Sequence, residues 1–427
     1  MTLSWFAIFR LGLVQMALGA IVVLTTSTLN RLMVVELALP AVLPGLLVAL
    51  HYGIQITRPN WGFLSDQGGQ RTRWIIGGMC ALALGALLAS AAIPLFENSF
   101  ALGLGLSVLA YALIGLGVGA SGTSLLALLA TATEPRRRAA AATITWLMMI
   151  FGIAVTAGVV GSFLEPYSHG LLLRIVAVVT GGAVILTILA VWGIERRVVI
   201  QRQSEPMPFR QGLAEIWSET KARQFTIFVF LSMTAYFMQE LILEPYAGLV
   251  FGFSPGQSTS LSGAQNGGVF IGMLVVGIAA TGLGIGALRH LVGAGRLGSA
   301  AALTIISLFG LAGIPVLLPA VITLGFFNGM FAVAAIGSMM ALAGQGRDAR
   351  EGTRMGLWGA AQAIAAGFGG LAGAAMVDVL RVMTATAPAF GTVFLIEAAL
   401  FIAAAFMALR IMDTSTAPSP TALVPGE

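Results

Sequence analysis

Twelve apolar runs, each about the 20 residues that a helix needs to cross a hydrocarbon layer, leave this chain few folds to choose from. Six of them, beginning with 9–33 and ending with 171–194, precede the only sizeable polar stretch; six more, from 225–246 to 393–411, follow it. Lipid offers a backbone no water to bond, so spans of this length must satisfy their own peptide groups as helices. The expected fold is an all-α polytopic membrane protein of twelve transmembrane helices. Residues 1–194 would form an N-terminal six-helix half and 225–412 a C-terminal one, pseudo-symmetric with it. The linker 195–224 carries Phe209, Leu213, Ile216 and Trp217 at helical spacing, which predicts an amphipathic helix on the membrane surface. The tail 413–427, with Pro418, Pro420 and Pro425, is expected to be disordered.

Charge gives the orientation. A net charge of +5 would suit a polyanion-binding protein, but the basic residues sit in short loops between apolar runs, so no nucleic-acid partner is expected. With both termini in the cytoplasm, nineteen of the 22 Lys and Arg fall on the inner side; Arg31, Arg174 and Arg381 fall outside. The N-terminus leads into a full-length apolar run without a small-residue cleavage site and reads as an uncleaved first helix. Cys80 is the only cysteine, which excludes an intramolecular disulfide and a CxxC metal site. The four aspartates are scattered singly, so no Asp-rich motif can hold a magnesium diphosphate as a membrane prenyltransferase would. With no G-x-x-x-x-G-K-[ST] and one lysine, Lys221, ATP-driven transport by this chain is excluded. It is not expected to be an enzyme.

Ionisable groups at membrane depth need a partner or a purpose. His51 and Gln55 lie one turn apart on the second span; a neutral imidazole there can ligate a metal ion, including the magnesium of a chlorin ring, or simply bond between helices. Gln239, Glu240 and Glu244 cluster on the seventh. Glu240 and Glu244 share a face at i,i+4, where like charges repel, so they read as a structural ion pair with Arg31, a proton-coupling carboxylate or pigment ligands. Asn30, Gln265, Asn266, Asn328 and Gln362 suit interhelical hydrogen bonds; Glu397 stands alone in an apolar run with no evident partner. The glycine series Gly115, Gly117, Gly119, Gly122 and Gly367, Gly369, Gly370, Gly373 suit close helix packing or a large flat ligand laid against a helix. Arg136–Arg138 before Trp146 is echoed by Arg350 before Trp358, a weak sign that one six-helix unit was duplicated.

The stretch between the second and third spans contains Gly62-x-x-x-Asp66-x-x-Gly69-x-Arg71 and resembles the loop motif of the major facilitator superfamily, with Gln67 and Gln70 where basic residues are usual. More specifically, R-L-G-L-V-Q-M-A-L-G-A from Arg10, A-L-H-Y-G-I-Q-I-T-R-P from Ala49, S-D-Q-G-G-Q-R-T-R from Ser65 and L-E-P-Y-A-G from Leu243 resemble the PucC/LhaA family of photosynthetic purple bacteria, nearer its core-antenna (LhaA-like) branch. That resemblance implies a major-facilitator-like assembly factor of a light-harvesting complex, LH1, in the bacterial inner or intracytoplasmic photosynthetic membrane. It implies binding of bacteriochlorophyll a, with carotenoid or lipid as further ligands. Delivery would be to nascent α and β polypeptides, near the reaction centre–antenna core complex and bacteriochlorophyll synthase. The competing expectations are a secondary transporter of a small or apolar solute and a pigment-free scaffold. His51, Gln55, Glu240 and Glu244 are the candidate pigment residues. Gly62, Asp66, Gly69 and Arg71 are the structural loop.

Overall fold

Ser4 opens the first helix in the manner of an N-cap, its hydroxyl accepting from the Ala7 N–H at 3.2 Å. From there a computed structural model describes residues 3–58, 61, 71–134, 137–195, 217–278, 288–344 and 351–413. Among the described residues twelve helices follow in order. The first six are α1 (Trp5–Glu36), α2 (Val42–Thr57), α3 (Arg71–Asn98), α4 (Phe100–Ala132), α5 (Arg138–Phe163) and α6 (His169–Val191). Then come α7 (Thr220–Phe251), α8 (Pro255–Gly277), α9 (Leu288–Ala312), α10 (Leu317–Gly344), α11 (Glu351–Met383) and α12 (Thr386–Asp413). Nine are long and apolar enough to cross a membrane; α2 and the span Leu317–Val333 of α10 are shorter apolar helices. The expected linker helix over 209–217 falls almost wholly outside the described residues, as do the tail beyond 413 and Gly62, Asp66 and Gly69 of the loop motif.

Apolar side chains of α1 to α6 form one core, around Ile8, Leu11, Met79, Leu82 and Tyr111. Those of α7 to α12 form two others, around Tyr246, Phe390 and Phe394 and around Phe228, Phe331 and Trp358. Small residues set the distance between helices. A Cβ on Gly117 would meet the backbone of Leu82 at 2.5 Å, so α4 and α3 touch main chain to main chain. The expectation of close packing therefore holds at Gly115, Gly117, Gly369 and Gly373, whereas Gly122 and Gly367 meet neighbours only at ordinary contact.

Hydrogen bonds between the halves lie toward the end of the bundle opposite the chain termini. Two π-turns in α1, Leu24–Thr28 and Leu32–Glu36, shift its register there. They are supported by Thr25 and Thr26 hydroxyls donating to the Val22 carbonyl and by Tyr111 donating to that of Thr25 at 2.7 Å. Thr28 then meets Thr259 of α8 at 3.2 Å, and Asn30 donates to the Leu241 carbonyl of α7 at 2.7 Å. At the terminus-bearing end Arg10 donates to the Leu189 and Trp192 carbonyls within the first half. Buried Arg71, the described member of the loop motif, donates to Ala127 O and to Thr131, while Glu195 accepts from the backbone of Arg71 and Thr72 at 2.6 and 3.0 Å and so caps α3. Between α5 and α6, outside the spans, Tyr167 bonds His169 at 3.0 Å; burial, then Glu36 and Glu97, push its hydroxyl up to about 12.

Asp378 of α11 is the firmest of the joints between halves. Its carboxylate accepts from the Ala41 and Val42 N–H groups at 3.0 and 2.7 Å, completing the start of α2, which has no side-chain cap of its own. Asp378→Ala is expected to remove about 2 kcal/mol, the scale of a charge-assisted bond. Asp378→Asn should remove less, since its amide oxygen still accepts. Thermal unfolding of both variants in one detergent checks the order.

Candidate functional site

The residues singled out in sequence divide into an occluded set and an accessible set. His51 is 1% exposed. Its Nε2 and the Gln55 amide nitrogen are 2.9 Å apart, and Gln55 in turn accepts from Arg58. If the amide donates, Nδ1 holds the imidazole proton, buried without a partner among the described residues. The reason for the occlusion is Gly115: a Cβ there would lie 2.7 Å from the His51 carbonyl, so α4 closes directly over α2. As magnesium ligand, His51 would have to leave Gln55 or use a nitrogen that opens on no accessible surface.

Glu240 and Glu244, one turn apart on α7, face different surroundings. Glu244 is 2% exposed and accepts from Ser27 of α1 at 2.5 Å; Ser27 stands 3.0 Å from Ser262 of α8. The ion pair with Arg31 is not formed: Arg31 pairs with Glu36 and donates to the Phe253 carbonyl at 2.7 Å. The π-turn of α1 carries the Arg31 head toward the end of the bundle, where those acceptors lie. Glu244 is thus a joint between halves made by hydroxyl groups.

Glu240 is enclosed by protein yet keeps accessible surface, as do Tyr52 of α2 and Tyr236 of α7. Tyr52 and Tyr236 each lie within electrostatic range of Glu240, and the Tyr52 ring meets Phe237 edge-on at 5.6 Å. No hydrogen bond of the Glu240 side chain is present among the described residues. Tyr52 also forms the inner wall of a groove of about 260 Å³ between α2 and α11, lined by Ala49, Gly53 and Ile56 on one side and by Ile364, Gly367 and Phe368 on the other. Ile56, Ile364 and Phe368 are more than half exposed, so the groove opens sideways, on the flank of the bundle that would meet lipid.

Sequence reasoning missed Tyr52, Tyr236 and Arg296. Tyr236 lies four residues before Glu240, a spacing that could have flagged it. Arg296, assigned to a loop, lies fully buried inside α9, its guanidinium carbon 3.1 Å from the centre of the Phe331 ring and 4.4 Å from that of Phe401. It is the electrostatic partner that Glu397 lacked in sequence.

Against known proteins, the fold matches a bacterial homolog of the human lysosomal transporter Spinster in an inward-facing conformation, with a TM-score of 0.68, 14% identity and 96% of each chain covered. It matches the nucleoside transporter NupG as well, with a TM-score of 0.68 at 13% identity over 95% of this chain and 98% of that one. The architecture is therefore major-facilitator-like, as the loop motif implied. In sequence, the chain is 66% identical to the "Bacteriochlorophyll synthase 44.5 kDa chain" of Rhodobacter capsulatus over 100% of both. It is 28% identical to "Protein PucC" of Cereibacter sphaeroides over 88% of this chain and 84% of that one. The model of the family described as "PUCC protein" matches residues 28–416, and the chain belongs to that family.

Proposed function

We propose that this protein binds bacteriochlorophyll within the membrane and delivers it to, or shepherds, the nascent α and β polypeptides of a light-harvesting complex, the core antenna LH1 beside the reaction centre. The observation that carries the reading is the sideways-open apolar groove between α2 and α11, whose one polar wall residue, Tyr52, lies in electrostatic range of the Glu240 carboxylate. A pigment with a long hydrocarbon tail stays in lipid, so its carrier needs a lateral opening more than a channel. The names of relatives, a bacteriochlorophyll synthase chain and PucC, fit a place in pigment–protein assembly. In this reading the chain performs no covalent chemistry itself. It resides in the bacterial inner membrane with both termini cytoplasmic, as the distribution of its basic residues favours.

The test is the near-infrared spectrum and extracted pigment of the protein purified in mild detergent from a photosynthetic host, with antenna polypeptides excluded by mass spectrometry. Stoichiometric bacteriochlorophyll is the expected result. A colourless folded protein that takes up no added pigment would overturn the reading in favour of solute transport, which the likeness to transporter folds would then support.

A further inference from the structure

Resting on the pigment reading above, we infer that the ligand is held in two parts: the Glu240 carboxylate takes the magnesium of the tetrapyrrole, and the groove between α2 and α11 takes its isoprenoid tail. Size separates the two parts. Pockets that bury a drug-sized ligand run to about 300–1,000 Å³, so a groove of about 260 Å³ is too small for a macrocycle with its substituents but suits a length of hydrocarbon. Its walls are apolar except for Tyr52. Gly53 contributes free space, since a Cβ there would meet nothing within 4 Å. Gly367 on the opposite wall meets Tyr52 and Ala49 only at ordinary contact distance.

The head is then assigned to Glu240, the carboxylate in electrostatic range of Tyr52, whose charge selects its chemistry. Glu240 keeps accessible surface and has no hydrogen bond among the described residues. Carboxylate oxygen is a ligand suited to magnesium. Glu244 and His51 are buried, Glu244 Oε1 accepting from Ser27 and His51 Nε2 bonded to Gln55. Tyr52 and Tyr236, each in electrostatic range of Glu240, offer hydroxyl donors to ring carbonyl groups. The other charges in electrostatic range of the two tyrosines are Arg58, which already donates to Gln55, and buried Arg296. An amphipathic molecule with a metal-centred head and a branched hydrocarbon tail meets both ends of the site.

Three probes separate the parts: bacteriochlorophyll a, its magnesium-free pheophytin, and the tail-less chlorophyllide, each titrated by fluorescence quenching into the full chain in lipid nanodiscs. The wild type should bind the magnesium pigment at least about tenfold more tightly than the pheophytin, a difference set by one ligand bond. Glu240→Gln should abolish that preference, and His51→Ala should retain it. Gly53→Leu, which enters open space and so should fold, is expected to weaken bacteriochlorophyll about tenfold while leaving the chlorophyllide unchanged. A magnesium preference that survives Glu240→Gln, or disappears in His51→Ala, overturns the assignment of the metal. Equal loss of tailed and tail-less pigment in Gly53→Leu overturns the assignment of the tail. If the wild type binds none of the three probes, the pigment reading itself falls, and that outcome is distinct from either.

Discussion

Replacing Arg296 by methionine is expected to destabilise the protein by about 3–5 kcal/mol, the scale seen when one member of a buried ion pair is removed. The Arg296→Met, Glu397→Leu double variant should recover most of that loss. Both side chains are fully buried; among the described residues the three guanidinium nitrogens and both carboxylate oxygens have no hydrogen-bond partner, and the two groups act on each other as opposite charges without direct contact. Together they already bear a heavy desolvation cost, offset in part by their attraction and by the Phe331 and Phe401 ring faces on Arg296. Removing the arginine leaves Glu397 buried at membrane depth without a countercharge. Removing both leaves apolar groups of similar volume among Phe331, Phe401 and their neighbours. Unfolding of the two single variants and the double in one detergent gives the coupling energy directly. If the double loses the sum of the singles, Arg296 and Glu397 do not act as a pair.

The same two residues show where reading the sequence stops. Glu397 was visible as an isolated acid, but Arg296 stands among Gly293, Gly295 and Gly298, a run that looks like a loop. In the fold those glycines admit α10: a Cβ on Gly295 would lie 2.9 Å from the Phe331 nitrogen, and the close approach lays Arg296 on the Phe331 ring. Helix number and order were legible because lipid forces every span to be a helix of similar length. Which carboxylate keeps accessible surface was not, because Glu240 and Glu244 share a helix face by spacing alone. Their surroundings diverge because α1 turns through a π-bulge and brings Ser27 to Glu244, while Tyr52 of α2 comes within electrostatic range of Glu240. His51 stood out as a polar residue in an apolar run, yet its occlusion depends on Gly115 in another helix. The groove between α2 and α11 is a relation between distant segments and has no local signature.

The crossing of α8 and α10 should be the least forgiving contact in the bundle, and Gly272→Leu is expected to cost at least about 3 kcal/mol, the upper part of the range for overpacking. Four glycines interlock there. Gly268 and Gly272 of α8 lie against the Ile322 and Phe326 carbonyls of α10, and Gly325 and Gly329 of α10 lie against the Gln265 and Val269 carbonyls of α8. At each of these positions the first atom a new Cβ would meet is main-chain oxygen, which cannot rotate away as a side chain can. The helices must therefore separate, and separation loses dispersion contacts along the whole crossing. Gly272→Ala should already lower the unfolding midpoint, and Gly272→Leu further. Gly181→Ala and Gly182→Ala on α6, where a Cβ would meet nothing within 4 Å, should be neutral or slightly stabilising, since alanine is the better helix former. Equal tolerance at Gly272 and Gly182 would mean that α8 and α10 do not pack backbone to backbone. A large loss confined to Gly272 would place the rigid spine of the second half at this crossing, beside the α7 helix that carries Glu240.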